Sequence, residues 1–163
     1  MEQDRGRVWV EVLVVGARGG GIGFRVIGGE LTSGAHPDAT AAGMAAQCDG
    51  PQPCWVPPPL TVLHSTSWRY ELGRVVLTYV AVRDGMPDPG SVALGDGEIA
   101  RSGDPVAPSP PAVTLDAVAG HAVRHLAWLR STDEVVATAL AGTDELWSAL
   151  DAYVPAPAGA LLP

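Results

Sequence analysis

Apolar and polar positions alternate most regularly near the start of the chain, where Val8, Val10, Val12 and Val14 interleave with Trp9, Glu11 and Leu13 across Arg7 to Val15. A period of two with this density of β-branched side chains predicts a strand. Gly19, Gly20, Gly21 and Gly23 supply a flexible turn, and Phe24 to Ile27 returns as a short strand ahead of Gly28 and Gly29. The opening is therefore expected to be a β-hairpin.

The pattern then changes to an alanine-rich run. Pro37 suits a first helical position, Asp38 the positive end of a helix and Gly50 a left-handed stop, which predicts a helix over His36 to Cys48. Thr61 to Glu71 and Arg74 to Arg83 alternate again, joined by Leu72 and Gly73 in a two-residue turn. The expected register sets Glu71 opposite Arg74, Trp68 opposite Leu77 and Thr66 opposite Tyr79. One hairpin face would then carry His64, Thr66, Trp68, Tyr70, Leu77 and Tyr79, and the other Ser65, Ser67, Arg69, Val76, Thr78, Val80 and Val82.

Thr114 is a good N-cap for a helix running to Arg130, with Leu115, Val118, Ala119, Ala122, Leu126 and Leu129 as its apolar stripe. A second helix is expected to restart at Ser131 or Thr132 and run through Leu140, and Thr143 to cap a third short piece over DELWSALDAY. Residues 85 to 114, rich in Pro and Gly, are expected as a long surface loop, leaving 115 to 153 for the C-terminal helices. A chain of 163 residues is long enough for one self-sufficient core, so a single domain over 1–163 is the expectation.

Within that order lies a motif in outline. Gly29, Gly34 and Gly50 are spaced like landmarks of the Nudix box, and the stretch GGELTSGAHPDATAAGMAAQCDG resembles that box in its frame. The resemblance spans roughly Arg7 to Arg130, because hairpin, loop, helix, further strands and a late helix follow in the family's order. It implies an α+β fold of the Nudix kind, an α/β/α sandwich with a mixed β-sheet. The box's Glu, Arg, Glu, Glu and Glu fall here on Ala35, Gly43, Met44, Gln47 and Cys48. In the family those glutamates gather divalent cations around a diphosphate. A thioether, a thiol and a neutral amide do not replace hard oxygen ligands for Mg²⁺, so no metal and no cofactor is expected.

Composition narrows the partners. Ten arginines and no lysines face eighteen carboxylates, a net charge of −8, so nucleic-acid phosphates should be repelled. Without lysine there is no P-loop lysine and no Schiff-base chemistry. No apolar run is long enough to span a membrane, and MEQDRGRV lacks the apolar core of a signal peptide, so a cytoplasmic protein is expected. Cys48 and Cys54 are then expected as free thiols. The absence of Lys and Asn, whose codons are AT-rich, suggests a GC-rich, actinobacterial genome.

The remaining chemistry is carried by rings. His64, Thr66, Trp68, Tyr70 and Tyr79 mix aromatic surface with hydrogen-bonding groups, as ligand sites do, while aromatic positions at strand spacing equally mark a core. His121 and His125 share a helix face four residues apart, bordering the apolar stripe with Trp128. The expectation is a shared pocket bordered by His64, Trp68, His121 and His125, with Glu30 as a further candidate and no catalytic residue assigned. His64-Ser65-Thr66 has the His-any-Thr form of two-histidine phosphoesterases, but no second copy occurs. The run GARGGGIG lacks the Gly-any-Gly-any-any-Gly order of a dinucleotide site.

These readings favour non-catalytic recognition of a small molecule, a nucleotide among the options, or of a protein partner. The alternative is a hydrolase acting on a nucleotide-like or phosphorylated substrate through His64, His121, His125 and Glu30. A third is a structural subunit, for which five tryptophans and the tail AGALLP offer anchors, and a homodimer is a separate partner expectation.

Overall fold

A computed structural model describes residues 7–47, 59–83 and 90–157. The protein is an α+β fold built, among the described residues, on a mixed five-stranded sheet. The strands are β1 (Arg7–Arg18), β2 (Gly21–Glu30), β3 (Leu60–Glu71), β4 (Arg74–Arg83) and β5 (Val92–Ala93), in the order β3-β4-β1-β2-β5. The helices are α1 (Pro37–Ala45), α2 (Leu115–Thr132), α3 (Glu134–Leu140) and α4 (Asp144–Ala149), the last running into a 3-10 turn over Leu150–Ala152.

Two antiparallel hairpins, β1–β2 and β3–β4, lie side by side, and their seam is a parallel pairing of β1 with β4. Central β1 is covered on both faces, which explains its continuous apolar character. Val10, Val12 and Val14 join Tyr79, Ala81 and the α1 residues Ala41 and Ala45 in one core. Leu13 and Val15 join Val80, Val82, Ile22 and Phe24 beneath α2 and the helices after it. The molecule is thus a three-layer sandwich, α1 on one face and α2 to α4 on the other.

Alanines let α1 sit close to the sheet. His36 is its N-cap, accepting from the Asp38 N–H through Nδ1 at 3.2 Å, and Pro37 follows in the first turn. From β4, Arg83 donates to the carbonyls of Ala45 and Gln47 at 3.0 and 2.7 Å. A cation there satisfies backbone acceptors and complements the helix dipole. The helix is shorter than the expected His36 to Cys48; Cys48, Gly50 and Cys54 lie outside the described residues.

Other boundaries move as well. Strand β1 runs on to Arg18 and β2 spans Gly21–Glu30, because pairing across the glycine turn extends the ladder beyond the apolar positions. The expected loop over 85–114 contains β5, which pairs Gly23 with Ala93 and Phe24 with Val92. Arg18 helps hold that edge, donating to the Ser91 carbonyl and, at 3.1 Å, to its hydroxyl. Helix α2 continues to Thr132, and Asp133, not Ser131 or Thr132, caps α3 through its side chain. Thr143 precedes α4 without a side-chain capping bond. Leu115, in the first turn of α2, is exposed, whereas the rest of the stripe is buried.

Candidate functional site

The β3–β4 register carries the main correction to the sequence reading. Glu71 faces Arg74 and Trp68 faces Leu77, as expected, but Ser65, not Thr66, faces Tyr79. The pairing shifts between Ser65 and Ser67, so Thr66 is the extra residue of a β-bulge. A bulge reverses the face assignment of everything beyond it. His64 therefore shares a face with Ser67 and Arg69, under α2, while Trp68 and Tyr70 share the opposite face with Tyr79. The expected grouping of His64 with Trp68 is broken.

The face under α2 can be read in rows across β3, β4, β1 and β2. His64, Val80, Leu13 and Val26 form one row, and Ser67, Thr78, Glu11 and Gly28 the next. Arg69, Val76, Trp9 and Glu30 form a third, then Glu71, Arg74 and Arg7. The first row belongs to the α2 core and is apolar except for His64. The others carry the polar chemistry.

At the first row, His64 meets α2. Its ring centroid lies 5.1 Å from that of His125, with the planes tilted by 53°. His125 stacks on Trp128 at 5.7 Å and 24°. His125 is 5% exposed, deeper than the margin expected for it. Burial pushes its pKa down to about 4, and the neighbouring His64 and His121 push the same way. His121 is also lowered, by burial. The Nδ1–H of His64 donates to the Ser65 carbonyl at 2.7 Å, so while that ring is neutral its Nε2 is an acceptor.

In the second and third rows, Arg69 reaches across β4 to Glu11. Its two terminal nitrogens hold the two carboxylate oxygens at 2.9 and 3.0 Å, a bidentate pair. Thr78 donates to Glu11 at 3.1 Å, and Nε of Arg69 donates to Glu71 at 3.2 Å. Hydrogen bonding to Glu11 raises the Arg69 pKa above its ordinary value against the opposing effect of burial, and the charges of Glu11 and Glu71 add to the rise. Trp9 lies against Gly28, where an added Cβ would stand 2.5 Å from the indole Nε1, and Arg74 packs over the Trp9 ring at 4.1 Å.

The other expected residues are elsewhere. Thr66 is buried and donates to the Thr78 carbonyl at 3.2 Å. Tyr79 donates to Asp38 of α1 at 2.6 Å, and burial first, then that bond and charge, raises its pKa to about 12. Trp68 and Tyr70 are exposed on the α1 face. Glu30 lies beside Arg7, 4.0 Å away, and by strand spacing roughly 20 Å from His64. Of the eight expected site residues the fold brings His64 onto His125, one helical turn from His121, and leaves Thr66, Trp68, Tyr70, Tyr79 and Glu30 apart from that contact.

Reasoning from sequence missed Glu11, Arg69 and Thr78. One signal was present: Glu11 is the only charge inside the apolar run of β1, and a carboxylate there must find a cation. At the box positions, Met44 of α1 packs its methyl on Gly29, where an added Cβ would be 2.7 Å away. Asp38 is the only carboxylate on α1. Among the described residues no group of three or more His, Cys, Asp or Glu side chains could hold a metal ion. A shallow hollow of about 640 Å³ lies at the β1–β2 turn, lined by Gly19, Gly20, Asp144 and Glu145 among others, away from the histidines.

Comparison with family models, with curated proteins and with solved structures returned no match to this chain.

Proposed function

We propose that this protein is a Nudix-like domain whose box has lost its cation-binding role and which recognises a small polar molecule at the histidine side of α2. The single observation that carries the proposal is the juxtaposition of His64, His121 and His125, with Trp128 stacked on the last of them. With lowered pKa values, His121 and His125 are neutral near pH 7 and offer hydrogen bonds without charge. Arg69 is already engaged by Glu11 and Glu71. A site of this kind suits an uncharged ring with polar edges, such as a nucleobase or sugar, better than a phosphate. The apolar seating of Met44 and the engagement of Asp38 with Tyr79 support loss of the cation site.

The test is a thermal-shift series with nucleosides, the corresponding nucleotides, sugars and Mg²⁺, because a ligand bound only by the folded state raises its melting temperature. Nucleosides or sugars should shift it, and His64→Ala should abolish the shift while keeping the native circular dichroism. Absence of any shift at millimolar ligand, or steady EDTA-sensitive turnover of a nucleoside diphosphate compound, overturns the reading. Hydrolysis through residues outside the box is the second reading, favoured by the acceptor Nε2 of His64 while that ring is neutral; it requires turnover that His64→Gln removes and EDTA does not.

A further inference from the structure

Strand β3 forms an open edge of the sheet, paired only with β4 among the described strands. Beyond the Thr66 bulge its segment Ser67 to Glu71 has no proline, and its two charges, Arg69 and Glu71, pair with each other. The segment and the turn after it carry large exposed apolar side chains: Trp68 is 68%, Tyr70 71% and Leu72 89% exposed.

The direction of its free backbone groups follows from the turn. Leu72 and Gly73 have φ of 50° and 78°, the type I′ arrangement, so Glu71 and Arg74 form the hydrogen-bonded pair that flanks it. Hydrogen-bonded and non-bonded pairs alternate along an antiparallel ladder. Ser67, Arg69 and Glu71 therefore direct their N–H and C=O groups to β4, and Trp68 and Tyr70 direct theirs outward. The open edge is a backbone template flanked by two large rings.

We propose that a second copy of this chain adds its own β3 to this edge, antiparallel, about a two-fold axis through Tyr70. The inference is independent of the histidine site. Charge and the bulge together select the register, since an axis through Trp68 would set Tyr70 against the bulged Thr66. An axis through Arg69 would set that residue opposite its own copy, and an axis through Glu71 would do the same for the carboxylate, each a like-charge pair at close range. An axis through Tyr70 sets Arg69 opposite Glu71 of the second copy on one face and brings Trp68 towards the Leu72 turn of the second copy, beyond the end of its β3. The two Tyr70 residues then exchange both backbone hydrogen bonds. Trp68, Tyr70 and Leu72 expose roughly 400–500 Å² per copy, of which edge-to-edge pairing covers a part, so the association belongs to the weak class of interface below about 1,000 Å². The result is a continuous ten-stranded sheet. Because each copy carries a net charge of −8, added salt should strengthen the association by screening.

Cross-linking tests the register in a Cys48→Ser/Cys54→Ser background. Tyr70→Cys should oxidise to a covalent dimer, since directly opposed residues fall within disulfide reach. Trp68→Cys alone should not, because its copy lies four positions away along the paired strand. Sedimentation of the unaltered protein at about 100 μM, above the Kd expected for a marginal interface, should show dimer. Tyr70→Pro removes an N–H that β4 does not use and should yield a folded monomer. Should that variant misfold, Glu71→Arg is the second test and should weaken dimerisation at least tenfold by setting like charges opposite one another. A monomer at that concentration, or Trp68→Cys cross-linking to itself as readily as Tyr70→Cys, overturns the proposal.

Discussion

His64 of β3 and His125 of α2 hold their imidazole rings 5.1 Å apart across the boundary between sheet and helix. Protonation of either ring places a charge beside the other, and for His125 that charge would also be buried. The folded state holds the His125 pKa at about 4, below its ordinary 6.5, so between these values the unfolded chain binds the proton that the native state refuses. Stability is then fully present above pH 6.5 and declines as the pH falls towards 4, by roughly 3 kcal/mol at most. His121, lowered by burial, adds in the same direction. Urea midpoints followed by circular dichroism should show this slope, and His125→Leu should remove most of it. An unchanged slope in that variant contradicts the assignment.

The Arg69–Glu11 pair gives a prediction of opposite character. Arg69→Met leaves a carboxylate on β1 that is only 6% exposed without its cation, which should cost about 3–5 kcal/mol. Glu11→Leu combined with Arg69→Met removes both charges and should recover most of that loss. Chemical denaturation of the single and double variants measures the coupling, and additive losses would show that the two residues do not act as a unit.

Two helical glycines should respond oppositely to the same change. In α2, a Cβ on Gly120 would stand 2.9 Å from the Gly97 carbonyl oxygen, a backbone atom that also accepts from Arg124. Overpacking there should exceed the gain of about 1 kcal/mol in helix propensity, so Gly120→Ala is expected to lower stability by roughly 1–2 kcal/mol. In α1, nothing lies within 4 Å of a Cβ on Gly43. Gly43→Ala should therefore raise stability by up to about 1 kcal/mol, read from the melting temperature.

Much of the fold was legible because it rests on local signals. The valine alternation of β1, Pro37 at the start of α1, Thr114 before α2 and the Leu72-Gly73 turn each act over a few residues, and the structure has all four. The bulge at Thr66 has no such signature, since an extra residue in an alternating strand leaves the alternation superficially intact on either side. That one residue separated His64 from Trp68 and put His64 against α2 instead. Strand β5 was illegible for a related reason: two residues pairing with β2 have no periodicity of their own. At the candidate site, the shared face of His121 and His125 could be read from helix spacing. The Arg69–Glu11 bond joins residues on separate strands, and only the placement of β1 beside β4 brings them within reach.

The parallel seam also bears on how this chain reaches its native state. Each hairpin closes between neighbours in sequence, a microsecond event, whereas the seam joins Arg7 to Arg74, 67 positions apart. Loop-closure entropy must be met before that contact returns any stabilisation. The core beneath α2 draws Leu13 and Val15 from one hairpin and Val80 and Val82 from the other, so this helix has no complete surface to pack on until they join. Closure of the seam is therefore expected to pace refolding, and substitutions along it, at Val12 or Val80, should slow the folding arm of a chevron more than those on the outer faces of α3 and α4.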